Sequence, residues 1–181
     1  KSAFGDSRYY PDAQNIYYEG KILAGSDAAS FERLKLPDGN PSSYFKDKNS
    51  VYWFGKKMSD VLAASVKVLS ESYIVDAQNV FYYQNRIAGA DPASFTIIQD
   101  EQGSWSKDKK SVYYKEVAYP EVDPSTLEIL ERSYAKDKSK VYYFNGEKLT
   151  EVVGANAKSF KVTNWDQKTE SAATDGTHFY V

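Results

Sequence analysis

Six aspartates, Asp12, Asp47, Asp76, Asp108, Asp137 and Asp175, recur 29 to 38 residues apart in the same local setting. Grouped, such carboxylates could supply the six to eight oxygens that calcium takes; paired across a cleft, two could act as acid and base on a glycosidic bond. Neither chemistry fits. Lys46, Lys48, Lys107, Lys109, Lys136 and Lys138 flank three of the aspartates and oppose a cation. A catalytic pair needs two acids placed uniquely, whereas these recur once per repeat. His178 is the single histidine and cysteine is absent, so a triad or a zinc centre would rest on one imidazole near the chain end. The ten glycines form no phosphate loop. The aspartates therefore read as turn residues, and the expectation is a non-enzymatic protein with no catalytic, metal or cofactor-binding residue.

Stepping outward from each aspartate shows the element that positions it. The copies run DAQNIYY from Asp12, DKNSVYW from Asp47, DAQNVFY from Asp76, DKKSVYY from Asp108, DKSKVYY from Asp137 and DGTHFYV from Asp175. Three residues before the aspartate stand Tyr9, Tyr44, Tyr73, Trp105 and Tyr134, with Ala172 in the last copy. Downstream, a small polar stretch ends on Phe31, Val66, Phe95, Leu127 or Phe160. The repeats occupy approximately residues 9–41, 42–70, 71–101, 102–131 and 132–166, with a partial sixth over 167–181, in one domain spanning 1–181. Repeats one and three share DAQN and the ASF ending, as duplication of a two-repeat block would leave them.

An aspartate opening four turn-tolerant residues between runs of Tyr, Val, Phe and Trp predicts a β-hairpin, the carboxylate accepting backbone N–H groups about two residues on. A turn centred on the two residues after the aspartate sets Tyr9 opposite Tyr18, Tyr44 opposite Trp53, Tyr73 opposite Tyr82, Trp105 opposite Tyr114 and Tyr134 opposite Tyr143. Period-2 alternation then puts positions four and six after the aspartate on one face, read as the core, and position five on the other. Position five is aromatic in every copy (Tyr17, Tyr52, Phe81, Tyr113, Tyr142, Tyr180), while position seven drifts through Glu19, Phe54, Tyr83, Lys115 and Phe144. That drift predicts a half-covered second face. Tyr17, Tyr52, Tyr113 and Tyr142 then become a candidate ligand-binding row able to stack on sugar rings or grip an extended peptide; the plainer reading is that these rings fill thin cores. The ASF and STL segments read as short helical turns.

A repeat of about 30 residues buries little alone, so neighbours must stack and share a core. The fold class is all-β: tandem β-hairpin repeats stacked as a solenoid-like array or twisted antiparallel sheet, with short helical turns between hairpins.

The DKNSVYW and KDKKSVYY segments, with the downstream GADPASF, resemble the DKNYY family of bacterial repeat proteins over nearly the whole chain. Repeats one and three depart from the motif with DAQN. The resemblance carries over no catalytic residue and implies an exported or lipid-anchored protein of the periplasm or cell surface, the alternative being the cytoplasm. The chain opens at Lys1 without a methionine, as a trimmed mature protein or a recombinant segment would.

Basic residues number 23 and acidic ones 25, interspersed without a stripe, so no nucleic acid is expected as a partner. No apolar run approaches the roughly 20 residues of a membrane-spanning helix. Three roles follow in order: a structural or interaction module of the envelope, a binder of glycan or peptide, and an enzyme. The expected form is a monomer whose partner is a protein or a glycan.

Overall fold

β-Branched and aromatic residues suit a pleated surface, and every run of them beside an aspartate turn is a strand. The computed structural model describes residues 4–98, 104–131, 133–166 and 171–180. Among these there is no helix, and the strands form six small antiparallel sheets, none closed into a barrel. The central pair of each sheet is the aspartate hairpin, for example Tyr9–Pro11 with Ile16–Tyr18, Pro41–Lys46 with Val51–Trp53, and Tyr134–Lys136 with Val141–Phe144. A short outer strand follows, such as Lys21–Ile22 or Lys56–Lys57. From the second repeat on, a leading strand precedes the hairpin, such as Glu32–Lys35 or Lys67–Val68. The chain divides into two compact units, Lys1–Asp108 with Tyr113–Val117, and Lys109–Val112 with Ala118–Val181.

The hairpin register is the one the aspartate spacing dictates. Tyr9 lies opposite Tyr18, Tyr44 opposite Trp53, Tyr73 opposite Tyr82 and Tyr134 opposite Tyr143; the rings of Trp105 and Tyr114 are 5.0 Å apart. The amide of the aspartate donates to the carbonyl three residues on, as from Asp47 to Ser50 at 2.9 Å, which closes a two-residue loop.

Within each unit, stacking one repeat behind another gives the inner sheets two covered faces. The front carries the residues three before and four after the aspartate; the back carries those two before and five after. In the first unit, Tyr9, Ile16, Leu23 and Phe31 on the front of repeat one close around Phe45 and Tyr52 on the back of repeat two. Tyr44, Val51 and Met58 meet Ile74 and Phe81 in the same way, and Tyr73, Val80, Ile87 and Phe95 meet Tyr113. In the second unit, Tyr134, Val141 and Phe160 close around Ala173 and Tyr180. Hydroxyls extend the contact: Tyr9 accepts from the Gly55 amide at 2.6 Å, and Tyr73 donates to the Ser104 carbonyl at 2.7 Å.

Two expectations need correction. Position six is not the core row throughout: Tyr114 is buried, but Tyr18, Trp53 and Tyr82 are half-buried and Tyr143 is 38% exposed. Position five is, with Tyr52, Phe81, Tyr113 and Tyr142 all buried. The drift at position seven has a different cause. Glu19, Phe54, Tyr83 and Lys115 all have positive φ, 45° to 55°. With Gly20 and Gly55 also at positive φ, Glu19-Gly20 and Phe54-Gly55 are the central residues of the primed turns that match strand twist. In these four repeats position seven has left the strand and reports turn geometry, not the cover of a face, whereas Phe144 in repeat five still ends the strand Val141–Phe144. The ASF-type segments are one-turn reversals closed by i→i+3 bonds, Asp27 to Ser30 and Asp91 to Ser94 among them, with an added i→i+4 bond from the Phe160 amide to the Asn156 carbonyl.

Candidate functional site

One polar constellation recurs at the junction of successive repeats, centred on the aspartate. One carboxylate oxygen, Oδ1, accepts the two amides of its own turn: from Gln14 and Asn15 on Asp12, from Asn49 and Ser50 on Asp47, and from Gln78 and Asn79 on Asp76, each at 2.7 Å. Asp137 and Asp175 repeat the pattern. This satisfies turn amides that have no ladder partner.

The other oxygen, Oδ2, reaches the repeat before. It accepts the amide of Asp27 on Asp47 at 2.9 Å, Leu62 on Asp76 at 2.8 Å, Asp91 on Asp108 at 2.8 Å, Asp123 on Asp137 at 3.1 Å and Asn156 on Asp175 at 3.1 Å. The same oxygen accepts the hydroxyl at position five, from Tyr52, Tyr113, Tyr142 and Tyr180, at 2.8 to 2.9 Å. Phe81 lacks that hydroxyl. The residue after the aspartate adds two further bonds. Its amide donates to a hydroxyl of the preceding turn, Lys48 to Ser30 at 3.0 Å, Ala77 to Ser65 at 3.0 Å and Lys138 to Thr126 at 3.2 Å. Where it is lysine, its ammonium pairs with an acid in that turn, Lys48 with Asp27 at 2.7 Å and Lys138 with Asp123 at 2.8 Å.

The electrostatics follow from this bonding. Burial of Asp137 opposes its charge, but the amides of Asp123, Ser139 and Lys140 and the Ser139 hydroxyl outweigh it and hold the carboxyl at about 2. Asp47 is lowered by the same balance, burial against the Asp27 amide, the Tyr52 hydroxyl and its own turn. Burial, then the neighbouring carboxylate, pushes the Tyr52 and Tyr142 phenols well up, so both stay protonated donors.

The five expected turn aspartates all lie at hairpin turns, and four of them, Asp47, Asp76, Asp108 and Asp137, sit in junctions at no more than 4% exposure. Asp12, in the first hairpin, is exposed. The tyrosine row does not line a solvent-facing surface. Tyr52, Tyr113 and Tyr142 are buried with their hydroxyls on Asp47, Asp108 and Asp137, and only Tyr17 is partly accessible. The period-2 rule sorted the row correctly to one side of the strand, but that side is the back face, covered by the repeat before. Sequence reasoning missed Ser30, Ser65, Thr126, Lys48 and Lys138 as junction residues. Their signal was present: acid and lysine come together in Asp27 with Lys48 and Asp123 with Lys138, and are absent together in Leu62 with Ala77.

Asp47 receives four donors on two oxygens. Such a carboxylate is committed to holding repeats together, which leaves it poorly placed to take a proton or attack a substrate. Among the described residues, no three of His, Asp or Glu converge as a metal site. No curated protein and no solved structure matches the chain. The DKNYY family model matches in three overlapping tandem segments, residues 9–76, 73–127 and 114–181. In this chain's DKNSVYW segment, Asp47 is the junction carboxylate, Lys48 the ammonium on the preceding turn and Tyr52 the phenol that shares Oδ2. The three matches run together over residues 9–181, and the chain belongs to the DKNYY family.

Proposed function

We propose that this protein is a non-enzymatic structural and interaction module of the bacterial envelope, exported and presented as an array of hairpin repeats. The observation that carries this reading is the use to which the recurrent polar groups are put. Aspartate, tyrosine, serine and lysine, the residues with chemical reach, are spent on junctions between repeats, so the repeated chemistry is architectural. The family resemblance to exported and lipid-anchored proteins supports the location.

The test is cell fractionation of the native organism with an antibody to the chain, combined with an Asp47→Asn variant. The proposal expects the protein in the envelope fraction and a variant that loses stability without losing any turnover. Recovery in the cytoplasm alone overturns the location, and a reaction abolished by a single substitution without unfolding overturns the non-enzymatic reading.

A further inference from the structure

Among the described residues, the first repeat has nothing behind it. Its back face carries Tyr10 at 43% exposure, where the second and third repeats bury Phe45 and Ile74. Tyr10 and Tyr17 stack on each other, ring centroids 5.0 Å apart and planes 3° from parallel. Asp12 has the usual two turn amides on Oδ1 and the Tyr17 hydroxyl on Oδ2 at 2.7 Å. It lacks the one bond that every later aspartate receives, an amide from a preceding turn. This is the acceptor half of a junction whose donor half is known from five examples in the same chain.

Those examples define the occupant. It must present a turn amide to Asp12 Oδ2, a hydroxyl to the Ala13 amide, and an apolar plug of the Phe31 or Val66 kind to the two rings. The residue after the aspartate makes the choice finer. Lys48 faces Asp27 and Lys138 faces Asp123, whereas Ala77 follows the neutral Leu62 turn. Repeat one carries Ala13 there, and its turn DAQN is identical to that of repeat three. An acid brought against Asp12 would meet a second carboxylate with no lysine between them, a like-charge contact that costs affinity.

Selectivity rests on this face more than on the sheet edge. The carbonyls of Tyr73 and Tyr134, three before the aspartate, accept the amides of Leu69 and Leu130, each the residue just after a leading strand, at 2.9 and 2.8 Å. By strand alternation the residue one before the aspartate also turns its amide outward. In repeat one that residue is Pro11, which has no N–H, so an added strand forms one ladder bond fewer.

We propose that the back face of the first hairpin, built from Tyr10, Asp12, Ala13 and Tyr17, is a docking surface for the front of another repeat of this same type, and that it selects one whose turn is neutral, as at Leu62. The surface is independent of where the protein resides in the cell.

The test joins a second copy of residues 42–72 directly ahead of Tyr9 in the full chain, in place of residues 1–8, so that a Leu62 turn lies behind repeat one. Tyrosine nitration, mapped by mass spectrometry, reads the face, and Tyr52 serves as the internal standard for a buried ring. Tyr10 and Tyr17 should react about tenfold more slowly than in the native chain, as protected groups do. Leu62→Asp in the added copy should remove that protection, and Ala13→Lys should restore it. Protection by neither the neutral pair nor the Asp–Lys pair overturns docking. Equal protection with Leu62 and with Leu62→Asp overturns the selection of a neutral turn.

Discussion

Replacing Asp137 by asparagine keeps the shape of the side chain and removes its charge. The Oδ1 bonds to the Ser139 and Lys140 amides, at 2.7 and 2.8 Å, can persist. The group replacing Oδ2 becomes an NH₂ facing the Asp123 amide, 3.1 Å from the oxygen it replaces, and two donors cannot bond each other. Two terms set the cost. The carboxyl is held at about 2 against a usual 3.8, which corresponds to about 2 kcal/mol of stability from the charged form. The orphaned amide adds about 1 kcal/mol. Because the folded-state value is depressed, the charge contribution is fully present above roughly pH 5 and fades as the pH falls through about 2. The expected gap between wild type and Asp137→Asn in urea unfolding is therefore about 3 kcal/mol at pH 7, closing to roughly 1 to 2 kcal/mol near pH 2. Asp12→Asn, at a turn exposed among the described residues, should cost less. A gap below about 1 kcal/mol at neutral pH, or one that ignores acidification, would refute the junction carboxylate as a stabilising charge.

Three further substitutions separate the faces and turns. Tyr142→Ala should cost about 3 to 5 kcal/mol and Tyr143→Ala about 1, measured by urea midpoints; the reverse order would return position six to the core. Gly55→Ala should cost about 3 kcal/mol, because a methyl there both strains a φ of +70° and strikes the Tyr18 ring. Gly20→Ala, with open space around it, should cost about 1 kcal/mol, so equal melting shifts for the two would refute the close approach. Ser106→Ala should be neutral or stabilise by up to about 1 kcal/mol, since its buried hydroxyl has no hydrogen-bond partner among the described residues. A loss of more than about 1 kcal/mol on thermal unfolding would show a bond that the geometry does not.

The hairpin register was legible because it depends on local chemistry. An aspartate that accepts its own turn amides fixes where the chain reverses, and the partner of Tyr9 or Tyr44 follows by counting. Which face is covered was not legible, because alternation says only that Tyr52 and Val51 point oppositely. Both are buried, since a sheet inside a stack has neighbours on both sides, as parallel sheets between helix layers do. Position seven misled for a related reason: a charged residue such as Glu19 or Lys115 signals solvent only while the chain is still a strand. The second oxygen of the aspartate was invisible, because one carboxylate satisfying its own turn leaves no trace of a further donor. The covarying neighbours Asp27 with Lys48 and Leu62 with Ala77 held that information, legible once the junction is known.

The junction pairings also bear on how such a gene can lengthen. Copying the second repeat alone would set its Leu62 turn before Lys48, leaving an ammonium without its acid. Copying the first alone would bring Asp27 against Ala13. A block of the first two repeats begins with Ala13 and ends with the Leu62 turn, so head-to-tail copies meet in the combination already present between repeats two and three. Replication errors that add or delete such pairs leave every junction matched, whereas single-repeat errors at these positions do not, and the array can change length in steps of two without inventing a new interface.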